Sequence, residues 1–426
     1  GYIGEFCDGD VSKLKPLGEI DLSDIDIRLH PRRKAVIEQE RRFARVAERY
    51  QETLSEQEPA TLALLQRLCL FHLGVDAATL TSIFTGDDEQ TLNVAGPALA
   101  ALTADQLQQT LDRLTAMKLV EVGPVPTDQD DNATDRPVGN GPTFTIHPAV
   151  RDGFLSGIAE RDRTAGHEAA RAGLTAALGD SPGENPSAPA ILDLLEEIVH
   201  HTLQSGHVQE AWDVYWNRIG GGRNLLWRLG AYERGERLCR AIAGGQPPES
   251  IPSNLTDAAV QAGPRGSHQA DQRDHSGSAG ASPSPFEALP ESTQAIFLNE
   301  WALYLSQLGR LEAAAHCHEL HLEVEMQRED WKNSTITNQN LCDVRLLSGR
   351  LLEKGEEGSD KRETTSPVTL LSSSFPESLR LAELADDAQE RQNSYASRGH
   401  ARALLGEVPA ALSDFHTALD WQHKDE

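Results

Sequence analysis

The chain has 426 residues, of which 38% are hydrophobic and 25% charged; this is too long for one ordinary core and apolar enough for most of it to fold as two or three domains. Thirty-nine Lys and Arg stand against 66 Asp and Glu, a formal charge of −27, which disfavours broad affinity for DNA, RNA or anionic lipid, because phosphates need a cationic face. No run of about 18 apolar residues marks a membrane span, and a mean hydropathy of −0.45 leaves room for disordered inserts.

In chain order the first signal is a charged amphipathic helix over Pro31 to Leu54, with Val36, Phe43, Val46 and Tyr50 as its apolar stripe. Ala60 to His72 carries Leu64, Leu65, Leu68 and Phe71 at helical spacing, and Asp76 to Phe84 reads as a short second helix. Thr103 to Met117 is a third, opened by the capping-box pair Thr103 and Gln106 and striped by Leu107, Leu111 and Leu114. The period then changes to two. Leu119 to Val122 and Thr143 to Ile146 read as strands of a hairpin, and Pro148 suits the first turn of the helix that follows. Three helices and then a hairpin is the order of a winged helix-turn-helix with an enlarged wing.

Gly123 to Pro142, Gly179 to Pro189, Gly244 to Pro285 and Lys354 to Ser374 are rich in Gly, Pro, Ser or charge and read as linkers or loops. Between and after them a pattern returns: Leu203, Gly206 and Ala211; Leu308, Gly309 and Ala313; Leu347, Gly349 and Leu351; Leu405, Gly406 and Ala410. Gly309 and Gly349 are 40 residues apart and Gly349 and Gly406 57, the latter about 35 without the insert, which approaches the tetratricopeptide period. The glycine is expected to close one helix in a left-handed cap, and the alanines to let the next helix pack closely. Trp301 is placed early in its helix.

The chemistry-bearing patterns are few. No P-loop, no G-x-G-x-x-G after a strand, no G-x-S-x-G elbow and no H-E-x-x-H is present, so no active site is expected and the chain is read as non-catalytic. Five scattered cysteines, Cys7, Cys69, Cys239, Cys317 and Cys342, form no CxxC pair; reduced thiols and a cytoplasmic setting follow as the expectation. His316, Cys317, His318 and His321 have the spacing of a zinc site on a helix. Ala313, Cys317, Leu320 and Val324 line up as an apolar face, however, so Cys317 is expected in the core and no metal is assigned. His200-His201 is a weaker candidate still. Trp212, Tyr215, Trp216, Trp227 and Tyr232 are expected to pack between helices.

From Pro59 to Ile158 five basic residues oppose twelve acidic ones, net −7, so DNA is not the expected partner of the third helix. The basic residues concentrate earlier, at Arg32-Arg33-Lys34 and Arg41-Arg42, with Arg45 and Arg49 after them; interspersed glutamates make this a solvated face or a dock for an acidic domain. His147 stands directly after an apolar strand, where an imidazole is either a structural hydrogen-bonding group or a ligand for a phosphate offered by a neighbouring domain.

The segment Ile146-His147-Pro148-Ala149-Val150-Arg151-Asp152 resembles the "LHPLVRDYF"-like motif of bacterial STAND signalling ATPases, the superfamily of the NACHT and NB-ARC switches. Glu210 to Ile219, Asn299 to Ala314 and Glu329 to Asn333 are similar to segments of the same bacterial proteins, in the same order. Arg42 to Tyr50 resembles the helix that trails their ATPase core. The resemblance implies the C-terminal part of such a protein. His147 takes the place of the histidine that contacts ADP, with Pro148 where the motif has Asp. The Walker motifs and bound ADP or ATP would belong to a module upstream of Gly1, and no cofactor is expected in this chain. The absence of Met at position 1 and of a signal peptide fits a piece of a longer protein.

The expected fold class is mainly α, a winged helix-turn-helix with a small β-hairpin followed by tetratricopeptide-like solenoid helices with disordered inserts. The expected domains are 1–53, the trailing helical part of the upstream module; 54–165, the winged helix; 166–243, repeat-like helices; 244–290, a linker; and 291–426, repeats. The expected function is that of a regulatory sensor: the winged helix restrains the nucleotide switch, and the repeats bind protein partners. The alternatives are a repeat scaffold without any nucleotide link and a winged-helix transcription regulator.

Overall fold

The computed structural model describes residues 45–123, 141–179, 185–251, 285–348 and 375–422. The expected basic segment before Arg45, the wing tip, most of the inserts and the Gly349 cap lie outside these residues. The fold is mainly helical with one small sheet, and the chain divides into two units, Gly1–Ile219 and Gly220–Glu426.

The first unit begins with α1 (45–57), which buries Ala47, Tyr50 and Leu54. Tyr50 is buried as expected, whereas Val46, also expected in the stripe, is 41% exposed; Ala47 takes its place, three positions before Tyr50, and Leu54 follows four positions after it. Pro59 opens α2 (Pro59–Leu68), where its missing N–H costs nothing. Leu64, Leu65, Leu68 and then Phe71 are buried as the spacing predicts. Gly74 follows at φ +106, and a Cβ there would lie 2.5 Å from Thr145 Cγ2 and 3.0 Å from the Phe144 carbonyl oxygen. Only glycine lets the chain pass so close in that conformation. It enters β1 (Val75–Asp76), a strand too short to announce itself in the sequence. Asp76 then accepts from the Thr79 N–H at 3.0 Å and caps α3 (Ala77–Phe84).

Two short helices that the periodicity does not predict follow, α4 (Glu89–Ala95), capped by Asp88, and α5 (Pro97–Ala100). The capping box of α6 (Ala104–Ala116) is present with both bonds: Gln106 N–H donates to Thr103 Oγ1, and Thr103 N–H donates to Gln106 Oε1. Beyond α6 the chain turns through Lys118 at φ +63 into β2 (Glu121–Val122) and, later, β3 (Thr143–Thr145). The sheet order is β1-β3-β2, antiparallel throughout, with Val75 opposite Phe144 and Glu121 opposite Thr145. Then come α7 (Pro148–Leu155), α8 (Glu160–Leu178) and α9 (Pro189–Gln204). Last is α10 (Val208–Asp213), which runs into a π-helical turn over Val214–Ile219. The helix α8 packs on α3, α4 and α9.

The second unit opens with a π turn at Arg223–Arg228 and α11 (Tyr232–Ile242). It continues through α12 (Glu291–Gln307), α13 (Leu311–Gln327) and α14 (Trp331–Leu347) to α15 (Phe375–Leu384), α16 (Ala388–Leu404) and α17 (Val408–Gln422). Each of these helices packs on the next. Gly309 and Gly406, at φ +71 and +81, end α12 and α16 in the left-handed conformation expected of them. Asp330 and Asp387 cap α14 and α16. Trp301, expected early in its helix, lies in the second half of α12, fully buried with Phe297 and Tyr304.

Candidate functional site

His147 stands between β3 and α7. Phe144 and Ile146 anchor the approach in the core, whereas His147 itself is exposed. Its carbonyl accepts from Val150 and Arg151 N–H at 2.9 and 3.0 Å, so the first turn of α7 fixes its backbone. One turn on, Arg151 Nη2 donates to the His72 carbonyl at 3.1 Å and ties α7 to the segment between α2 and β1. His147 is therefore an exposed residue whose backbone is fixed at the β3–α7 joint.

A second cluster escaped the sequence reading. His72, His167, His200 and His201 gather beside Glu197 inside the first unit. His167 Nδ1 lies 2.8 Å from His201 Nδ1. The His72 and His200 rings stack at 5.5 Å, and Phe71 meets His201 edge-on at 4.8 Å. Glu197 accepts from the Leu73 N–H and faces His201 Nε2 across 3.6 Å; Glu197 Oε2, His201 Nε2 and Arg151 Nε are buried without hydrogen-bond partners. Burial, and then the positive charge of Arg163, lowers His167 to about 4. Burial, and then His167, His72 and Arg151, lowers His200 to about 3, and His201 falls well below its ordinary range for the same first reason. Burial raises Glu197 to about 7, against the backbone N–H donors and Arg151 that favour its charge. Near pH 7 His167, His200 and His201 are thus neutral, while Glu197 is divided between its two forms and becomes neutral as the pH falls. The only hint in the sequence was the adjacent pair His200-His201.

The residues with zinc spacing do not converge. Cys317 and His318 are fully buried; burial raises the Cys317 thiol and lowers His318 to about 3. His316 Nε2 approaches the Ile251 carbonyl at 3.4 Å, while His321 bonds Thr337 Oγ1 at 3.0 Å and lies 3.3 Å from Glu325. Among the described residues no group of three or more His, Cys, Asp or Glu is arranged to hold a metal ion. Of the aromatic group, Trp212 and Tyr215 are buried, but Trp216 is 42% and Trp227 72% exposed, which corrects the expectation that all five pack between helices. Trp216 and Trp227 lie within the π-helical turns, whose buried residues are Tyr215 and Ile219 in the first and Asn224, Leu225 and Leu226 in the second.

On α6 the exposed charges are Asp105 and Asp112, and Arg113 is held by Glu58 through bonds of 2.6 to 2.9 Å. Among the described residues no helix is long and apolar enough to cross a membrane. No protein-family model matches the chain, and no curated protein sequence matches it at significant similarity.

Proposed function

We propose that the chain is the regulatory part of a STAND-type switch, in which a winged helix restrains a nucleotide-binding module and tetratricopeptide-like helices bind a protein partner. The observation that carries this reading is the exposed His147 at the rigid β3–α7 joint. It is supported by the sheet order β1-β3-β2, with α2 before β1 and the four helices α3 to α6 between β1 and β2, an order compatible with a winged helix that carries two additional short helices. Glycine-capped helices packed in succession support the repeat reading. In this mechanism His147 donates to, or charge-pairs with, the phosphates of ADP held by the neighbouring module. A partner that binds the repeats better in one domain arrangement than in the other shifts the switch by that difference. ATP hydrolysis belongs to the other module. The acidic α6, with Arg113 occupied by Glu58, weighs against use of the winged helix on DNA.

The test is made in the protein that carries both parts. His147→Ala is expected to shorten the retention of ADP by an order of magnitude or more. Unchanged retention, or a coding sequence before Gly1 without a P-loop, overturns the reading.

A further inference from the structure

Four imidazoles from three stretches of the first unit meet, and one of them, His201, faces a buried carboxylate, Glu197. His72 follows α2, His167 lies on α8, and Glu197, His200 and His201 lie on α9. Ring centroids are 5.0 Å apart for His167–His201, 5.4 Å for His200–His201 and 5.7 Å for His167–His200. Arg151 of α7 and Arg163 of α8 add positive charge, Arg163 being paired with Glu160 on its own helix, and Glu197 and its neighbour Glu196 bring carboxylates from α9. We propose that this stack is an acid-operated latch, which holds α8 and α9 against α2 and α3 while its rings are neutral and releases them when the rings take up protons.

The geometry excludes the form in which both facing rings are protonated. Across 2.8 Å the two Nδ1 atoms hold one hydrogen, which one donates and the other accepts. With both rings protonated, two N–H groups would point at each other in a site that already faces two guanidinium groups. Release has a structural consequence. The helix α8 rests on its neighbours through glycines: a Cβ at Gly166 would lie 2.6 Å from Leu70 Cδ1, and one at Gly173 2.2 Å from Ile83 Cγ1. Lifting α8 exposes Leu70 and Ile83 to solvent.

The proton balance gives the steepness. On opening, His167, His200 and His201 each take up a proton, and Glu197, protonated inside the fold, loses one. The net uptake of two protons makes the opening equilibrium rise about a hundredfold per pH unit between about pH 6 and 5. This inference is independent of the nucleotide reading.

Amide hydrogen exchange of the full chain, corrected for the intrinsic effect of pH, tests it. Between pH 6 and 5 the protection of Glu160–Leu178 and Pro189–Gln204 is expected to fall about a hundredfold, while that of Ala388–Leu404 and Val408–Gln422 holds. A flat profile, or a parallel loss in both units, overturns the proposal. The variant carrying His167→Gln with His201→Gln is expected to lose most of the pH dependence; a folded variant that keeps the full slope also overturns it. If that variant does not fold, the wild-type profile decides alone.

Discussion

The Nδ1 atoms of His167 and His201 face each other at 2.8 Å from two different helices, so the two rings form a hydrogen-bonded pair only when at least one of them is neutral. Folding therefore opposes protonation, and stability must depend on pH. An unfolded histidine titrates near 6.5, and His167 is held to about 4 in the fold. Above pH 6.5 it is neutral in both states and contributes nothing. Below pH 6.5 the unfolded chain binds the proton first, so stability falls as pH falls, down to about pH 4. At pH 5 this amounts to about 2 kcal/mol for His167 alone. Urea unfolding of the first unit at pH 7 and pH 5 measures it, and His167→Gln is expected to reduce the difference by about that amount.

Thr103 and Gln106 exchange two hydrogen bonds at the start of α6. Thr103→Ala removes the side-chain acceptor of an exposed helix end and is expected to cost about 1 kcal/mol. Thr103→Ser keeps the hydroxyl and is expected to restore most of it. Thermal unfolding of the two variants checks both values.

That capping box was legible because its signal is local: two residues three apart, with the apolar stripe directly behind them. The same holds for the caps Gly309 and Gly406, the leucine stripe of the helix expected over Ala60 to His72 and found over Pro59–Leu68, and the strands near Val122 and Phe144. The strand β1 was not legible, because two residues carry no period and its place is set by β3, distant in the chain. The helix α4 has Asp88 as its cap but too short a run for a periodic stripe. The histidine stack was hidden because His167 and His201 are 34 positions apart and no ligand motif has such a spacing. The place of His147, by contrast, follows from an apolar strand before it and a proline after it, and it stands between β3 and α7 in the fold.

Gly235 on α11 faces Tyr304 of α12 so closely that a Cβ would lie 2.1 Å from the Tyr304 ring. Two effects oppose each other in Gly235→Ala. Alanine favours the helix by up to about 1 kcal/mol, and forcing a methyl group against a fully buried ring costs about 1–3 kcal/mol. Both helices are part of a packed core that gives the ring no room, so the clash is expected to win. A lowered unfolding midpoint of the second unit is the predicted result; a raised one would mean that α11 moves away without penalty.

Asp414 on α17 is 3% exposed and accepts from Arg398 at 3.0 and 2.7 Å and from Arg402 at 2.7 Å, both on α16. One carboxylate thus joins the last two helices. Asp414→Asn keeps the shape but loses the charge, leaving two guanidinium groups beside a neutral amide. Both arginines reach partial solvent, so the cost is expected to be about 1–3 kcal/mol, below that of breaking a fully buried pair. Arg402→Ala leaves the two bonds from Arg398 in place and is expected to cost less than half as much. The ranking separates charge pairing from packing: if the pair acted only by filling space, Asp414→Asn would be silent and Arg402→Ala would be the more damaging change. Chemical unfolding of the second unit with each variant reads the order directly.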